Sequence, residues 1–146
     1  MEYIQMTKAH VAQVAALEEL CFSAPWSERA ITGELSNPLS LCIVAVDGQE
    51  VAGYVGSQSV LGEADMMNLA VSPAYRRQGV GQRLVDTLVD RLRINGVYSL
   101  TLEVRVSNEA AIALYEILGF VRVGCRPKYY SNPKEDALIL RKEWEV

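Results

Sequence analysis

The spacing of apolar positions changes period several times along the chain, and each change marks an element. Residues 3–6 alternate apolar and polar, as a short strand does, and Thr7 can cap a helix in which Val11, Val14, Ala15, Leu17 and Cys21 recur at helical steps. Pro25 and Trp26 interrupt that pattern. Ser27 and Glu28 open a second short helix that should stop by Asn37-Pro38. Residues 41–46 are apolar and β-branched, Asp47-Gly48 is a turn signal, and residues 51–61 resume an extended pattern, which predicts a hairpin. Gly62 then turns the chain into another strand over 64–71. Over 79–95, Val80, Leu84, Val85, Leu88 and Leu92 recur at three- and four-residue steps before Gly96, the pattern of an amphipathic helix and its stop. A strand over 99–106, a helix over 108–118 closed by Gly119, and strands over 120–123 and 137–140 complete the reading. The stretches between Glu34 and Leu41 and between Tyr130 and Glu135 follow no assignable pattern.

Antiparallel strands leading into a strand-helix-strand-helix unit predict a mixed α/β (α+β) layer, a central sheet covered by helices. At 146 residues, half of them hydrophobic, the chain fits one domain over residues 1–146, with no repeat, linker or low-complexity segment. A net charge of -4 argues against a nucleic-acid binder that grips phosphates through a basic stripe, and makes a basic protein or peptide the more natural partner. The first residues carry no basic leader followed by an apolar run, and no apolar stretch approaches the roughly 20 residues of a membrane span. A soluble, cytoplasmic protein is expected.

Cys21, Cys42 and Cys125 are odd in number, widely spaced and without a C-x-x-C pair, so they suggest neither a disulfide framework nor a metal site and read as small buried hydrophobes. The lone histidine, His10, falls at a helix start, where a cap or surface role suits it better than catalysis.

Two places carry candidate chemistry. The first is Val71-Ser72-Pro73-Ala74-Tyr75-Arg76-Arg77-Gln78-Gly79-Val80-Gly81, which runs from a strand through a turn into the most periodic helix. Two glycines let backbone N–H groups approach an anion, and the helix start adds unpaired donors and a positive dipole end. Arg76 and Arg77 add charge, so a diphosphate fits. A Walker loop would need G-K-[ST], and the dinucleotide G-x-G-x-x-G would need glycine where Leu84 stands, so neither ATP nor NAD is indicated. A glycine-rich helix start without a ligand is the plain alternative.

The second place is the strand Leu100-Thr101-Leu102-Glu103-Val104-Arg105, where Glu103 shares a face with Thr101 and Arg105. A carboxylate in a covered sheet must be desolvated or paired. Desolvation suits a general base, and pairing with Arg105 or another cation suits a structural role. On the following helix Ala111, Tyr115 and Leu118 face the sheet, and the pattern alone favours Tyr115 as core with a hydroxyl satisfied by a neighbour. Asn108 at that helix start is a natural cap.

Taken together, Arg76, Gly79 and Gly81 match [QR]-x-x-G-x-[GA], the acetyl-CoA signature that the GCN5-related N-acetyltransferases (GNAT) carry at a strand-helix junction. The string LEVRVSNEAAIALYEILGF further resembles the segment L-E-V-R-x-S-N-x-x-A-I-x-L-Y-x-x-x-G-F of the bacterial ribosomal-protein-alanine N-acetyltransferases, as do APWSE at 24–28 and KYY with the later EDALIL. The resemblance implies the GNAT fold, with a mostly antiparallel sheet containing one parallel strand pair, and acetyl-CoA as co-substrate. It implies that the amides of Arg77, Gln78, Gly79, Val80, Gly81 and Gln82 bind the pyrophosphate, and that Leu69, Ala70 and Val71 lie beside the pantetheine and hold the acetyl carbonyl. Glu103 is then the proton acceptor, Tyr115 the proton donor and Asn108 a CoA contact. The implied acceptor is the N-terminal alanine of a small-subunit ribosomal protein; Tyr129 and Tyr130 read either as packing against an extended peptide or as plain strand packing. Acetylation of lysine or a small amine, or acyl-CoA sensing without turnover, would use the same scaffold.

Overall fold

The computed structural model describes residues 1–146. Seven strands, β1 (Glu2–Gln5), β2 (Ser40–Asp47), β3 (Glu50–Val60), β4 (Glu63–Val71), β5 (Ser99–Arg105), β6 (Val121–Ser131) and β7 (Lys134–Glu143), form one sheet in the order β1-β2-β3-β4-β5-β7-β6. Every neighbouring pair is antiparallel except β4 and β5, which are parallel. The mixed α/β expectation with a single parallel pair therefore holds. Four helices cover the sheet: α1 (Val11–Cys21), α2 (Glu28–Leu35), α3 (Val80–Ile94) and α4 (Glu109–Ile117).

Two apolar clusters show how the layers stack. On one face, Val80, Leu84, Val85, Leu88 and Leu92 of α3 and Ile112 and Tyr115 of α4 pack on Ile43, Ala45, Val55, Leu100, Leu102 and Val104. On the other face, Val11, Val14 and Leu17 of α1 and Ile31 of α2 pack on Val44, Val46, Tyr54 and Ala70. Alternation along each strand supplies both sets of inward residues. The second layer stops short of β5, so the face of β5 that carries Thr101, Glu103 and Arg105 is only partly covered.

Thr7 is the cap of a 3-10 turn over Lys8–His10 that opens the first helix, and its N–H donates to His10 Nδ1 at 2.9 Å, so the histidine takes the cap role expected of it. Two expectations change. The last two strands are much longer than 120–123 and 137–140, because β6 is an edge strand with register shifts between Arg122 and Gly124 and between Arg126 and Tyr130. Those shifts break the two-residue period that would reveal a strand. Finally, only Cys42 is buried, whereas Cys21 is half-buried and Cys125 exposed on the outer strand.

The packing of β3 on β4 leaves no spare room. A methyl group on Gly53 would lie 2.8 Å from the Ala70 carbonyl oxygen and 3.2 Å from Leu84 Cδ1. Because the nearer atom is backbone, no side-chain rotation relieves the clash. Gly53→Ala should destabilise the fold by about 1–3 kcal/mol. Urea unfolding measures this, and an unchanged midpoint would contradict the tight β3–β4 approach.

Candidate active site

Parallel pairing of β4 with β5 lasts only from Glu63–Ser99 to Asp65–Thr101, and beyond it the strands diverge. The remaining length of β4 is still held by β3 on its other edge. Ser72 N donates to the Ala52 oxygen at 2.8 Å, and Tyr54 faces Ala70 two steps along the same ladder. Antiparallel alternation then directs the Ala70 N–H to Tyr54 and turns those of Leu69 and Val71 toward the opening. Of the three residues expected beside an acyl group, Leu69 and Val71 present their amides, while that of Ala70 is spent in the ladder.

At the mouth of this opening the chain makes a row of donors. No backbone or side-chain group of the protein accepts from the N–H groups of Arg77, Gln78, Gly79, Val80, Gly81 and Gln82; the first helical bond is Arg83 N to the Gly79 oxygen at 3.1 Å. Arg77 and Gly79 take φ of 63° and 77°, and left-handed residues next to a helix start aim successive amides into one concavity. Ordinary left-handed cost falls on Arg77, while Gly79 adopts the conformation freely. Arg76 has a different task from the charge contribution expected of it. Its Nε donates to the Val71 oxygen at 3.2 Å and its guanidinium reaches Cys21 Sγ at 3.7 Å, folding the loop back onto the end of β4.

Glu103 and Tyr115 approach the opening from opposite faces of the sheet. Glu103 lies on the partly covered face, with 27% of its side chain exposed, and pairs with Arg126 of β6 at 3.7 Å. Pairing therefore applies, but the cation is Arg126. Arg105 instead holds the tip of the β6–β7 hairpin, donating to the Pro133 oxygen at 2.8 Å and the Asn132 oxygen at 3.3 Å and pairing with Glu135 at 3.3 Å. Bonds from Ser107, then the Arg105 charge, hold the Glu135 carboxyl below the usual carboxylate range. That clamp is intact above the ordinary carboxylate pKa and is lost only as pH falls through the lowered value. Arg105 also lies over the Tyr130 ring, 4.3 Å from its centroid, and Tyr129 meets Tyr130 edge-on at 5.0 Å. Burial, followed by the charges of Tyr129 and Glu103, pushes the Tyr130 phenol up to about 12.

Tyr115 is buried on the α3/α4 side, edge-on to Phe120 at 5.5 Å, and its hydroxyl meets only Met66 Sδ at 3.7 Å. A thioether is a weak acceptor, so this hydroxyl is left largely unsatisfied for a core tyrosine. Burial, with Tyr130 adding, raises its pKa well above that of an ordinary phenol, which makes it a hydrogen-bond donor that keeps its proton. Asn108 Oδ1 accepts from Ala111 N at 3.2 Å, so the residue caps α4. Cys42 is no nucleophile, since burial and then the charge of Glu34 push its thiol up to about 11.

The family model described as the acetyltransferase (GNAT) family matches residues 11–120. The chain belongs to the GNAT acetyltransferase family. It is 42% identical over 127 residues to the [ribosomal protein bS18]-alanine N-acetyltransferase of Salmonella typhimurium, covering 85% of this chain and 84% of the relative. It is 38% identical over 145 residues to the N-alpha-acetyltransferase RimI of Mycobacterium tuberculosis, covering 94% and 89%. Its backbone matches the crystal structure of the ribosomal-protein-S18-alanine N-acetyltransferase from Escherichia coli with a TM-score of 0.91 at 35% identity, over 99% of this chain and 94% of that one.

GNAT acetyltransferases use acetyl-CoA as co-substrate, and the residues present suit it. Six consecutive unpaired amides fit a diphosphate, and the unpaired edge of β4 fits an extended amide-containing arm. The groove between them is narrow: a methyl group on Gly81 would sit 3.6 Å from Leu114 Cδ2 and 3.7 Å from Val71 Cγ2, in ordinary contact.

Sequence reasoning passed over one buried polar group beneath β3 and β4. Glu18 is completely buried in α1, where Oε1 accepts from Trp26 N at 2.9 Å and Oε2 accepts from Asn68 Nδ2 at 2.8 Å and from the Tyr54 hydroxyl. Burial and the adjacent carboxylate raise the Tyr54 phenol far above its ordinary range. The signal was available, since Glu18 stands four residues after Val14 and three before Cys21, on the apolar stripe of its helix.

Gly81→Ala should leave acetyl-CoA binding largely intact, whereas the branched atoms of Gly81→Val overfill the groove. Calorimetry should show about 10-fold or greater weakening for the valine variant, the equivalent of about 1–3 kcal/mol of overpacking. Equal affinity for both variants would refute the groove.

Proposed function

We propose that residues 1–146 act as a single GNAT domain that transfers the acetyl group of acetyl-CoA to the α-amine of a protein N-terminus, the N-terminal alanine of a small-subunit ribosomal protein of the bS18 type. The observation that carries the chemistry is the opening between β4 and β5, with free amides on its edge and a carboxylate and a phenol on its two faces. The acceptor assignment draws on the relatives at 42% and 38% identity, a [ribosomal protein bS18]-alanine N-acetyltransferase and an N-alpha-acetyltransferase.

Bound acetyl-CoA supplies an activated acyl carbon, held through its diphosphate by the amides of Arg77 to Gln82, with Asn108 at the start of α4 as a further contact. Leu69 and Val71 N–H groups donate to the acyl oxygen as negative charge grows on it, a stabilisation that preorganised amides provide without rearrangement. Glu103, open to solvent on its face of the sheet, takes the proton of the incoming amine directly or through water. An α-amine, with a pKa of about 7.7 to 8, is neutral in roughly a tenth of molecules near pH 7, whereas a lysine amine at about 10.4 is neutral in fewer than about one in a thousand, so the α-amine asks far less of the base. On the opposite face Tyr115, whose hydroxyl has only Met66 to bind, hydrogen-bonds the departing sulfur. Its raised pKa limits how far it gives up the proton, so its share of the rate is modest. Direct transfer of this kind needs no cysteine relay. The hairpin carrying Tyr129 and Tyr130, clamped by Arg105, borders the acceptor side and suits an extended peptide.

Glu103→Gln should lower turnover by about 10² to 10⁴ with little change in acetyl-CoA affinity. Tyr115→Phe should slow the chemical step without a comparable loss of stability; a fully active, less stable variant would return Tyr115 to the core. A peptide with a free N-terminal alanine should be acetylated on its α-amine, located by mass spectrometry. The same peptide blocked at that amine but carrying internal lysines should react poorly. Comparable labelling of the lysines would move the chain to the lysine-acetylating class.

A further inference from the structure

Glu18 serves none of the steps above, although it is the most thoroughly buried carboxylate of the protein. Burying a charge costs several kcal/mol, and an apolar replacement of such a group is often as stable or more so, so stability alone gives weak reason for a carboxylate here. What Glu18 does is join elements that otherwise meet only through apolar contact. Its two oxygens accept three donors from three separate segments: Trp26 N in the α1–α2 connection, the Tyr54 hydroxyl on β3 and Asn68 Nδ2 on β4.

Asn68 occupies a particular place. The β3–β4 register runs Val55 opposite Leu69 and then Ser57 opposite Met66, so Gly56 alone faces both Met67 and Asn68. This is a β-bulge, which re-aims the strand around it. The next residue is Leu69, whose amide faces the opening. Tyr54, also bound to Glu18, is paired with Ala70 on the other side of that amide. The carboxylate thus grips the strand just before Leu69 and the partner of the residue just after it. Its remaining oxygen holds Trp26, whose segment 22–27 reaches the hairpin tip through Ser23 Oγ and the Asn132 oxygen at 3.2 Å.

We infer that Glu18 is a positioning residue for acyl transfer, locking the β4 bulge and the α1–α2 connection into one unit so that the Leu69 amide and the acceptor side of the opening keep a common alignment. The inference rests on the acetyl-transfer reading of the site. An amide displaced by a fraction of an ångström loses aim at the acyl oxygen, and small misplacements at a reacting centre are costly in rate. The diphosphate donors at 77–82 follow β4 beyond Val71, and none of them is among the groups bonded to Glu18, so co-substrate binding should be spared.

The test compares Glu18→Gln, Asn68→Ala and the exchanged pair Glu18→Gln/Asn68→Asp, which puts the carboxylate on β4 and the amide on α1 and preserves the charge. Steady-state kinetics use acetyl-CoA and an alanine-terminated peptide, and hydrogen exchange is followed across the chain by mass spectrometry. Glu18→Gln, which sets an NH₂ against donors, should lower kcat about 10-fold or more while KM for acetyl-CoA stays within about two-fold. Exchange should quicken in segments 22–27 and 66–71 and not in 77–82, and the exchanged pair should recover most of both losses. An unchanged kcat, exchange that quickens evenly over the whole chain, or an exchanged pair that recovers neither loss would overturn the inference. If Glu18→Gln does not fold, Asn68→Ala decides, since it deletes a single bond at the bulge: an unchanged kcat and unchanged exchange in 66–71 would count against Glu18. A wild-type protein that acetylates no peptide would sink the proposed function, and the exchange pattern would still judge Glu18 by itself.

Discussion

The site depends on one short pairing. β4 and β5 run parallel for three residue pairs and then part, which leaves one edge of β4 with amides facing no strand. In an ordinary sheet such groups would be paired or the edge would be a liability for association. Here the cost of the missing ladder is limited because β3 holds the other edge throughout and the two helical layers hold the faces on either side. The opening lies inside the sheet. It is therefore reached from both faces, with the Glu103 carboxylate on one and the Tyr115 phenol on the other.

Electrostatics divide along the same line. At the α3 end the protein offers donors and no acid: six unpaired amides and a helix start, built by left-handed turns at Arg77 and Gly79. On the partly covered face it offers a carboxylate paired only with the well-exposed Arg126 at 3.7 Å, an arrangement that leaves the carboxylate free to exchange partners. On the covered face it offers a phenol whose sole partner is a thioether. Each group is left partly unsatisfied by the protein itself.

Two polar clamps keep this arrangement in place, and they differ in exposure. Arg105 and Glu135 tie the hairpin tip to the end of β5 near the surface, where a salt bridge alone contributes little and the two backbone carbonyls do much of the holding. Glu18 is sealed in the second layer with three donors, where every bond matters because water cannot replace it.

The resemblance to the GNAT family pointed to the donor row from Arg77 to Gln82; the sequence by itself determined the order of the elements, the glycine-rich start of the long helix and its stop at Gly96, and the placing of Glu103 in mid-strand. These latter features follow from local period, turn chemistry and the backbone conformations that glycine allows. Only the tertiary structure decided the rest. Which cation faces Glu103 depended on the register of β6, set by bulges that carry no periodic signal, and so Arg126 rather than Arg105 fills that place. That the Ala70 amide is consumed while those of Leu69 and Val71 are free depended on the phase of the β3–β4 ladder, which two strands fix together. Glu18 carried no reading along the chain, because the three groups that make its burial tolerable come from 8, 36 and 50 residues further on. Pattern along a chain reports what each residue needs from its neighbours in sequence; what a charge needs when it is buried is supplied across space.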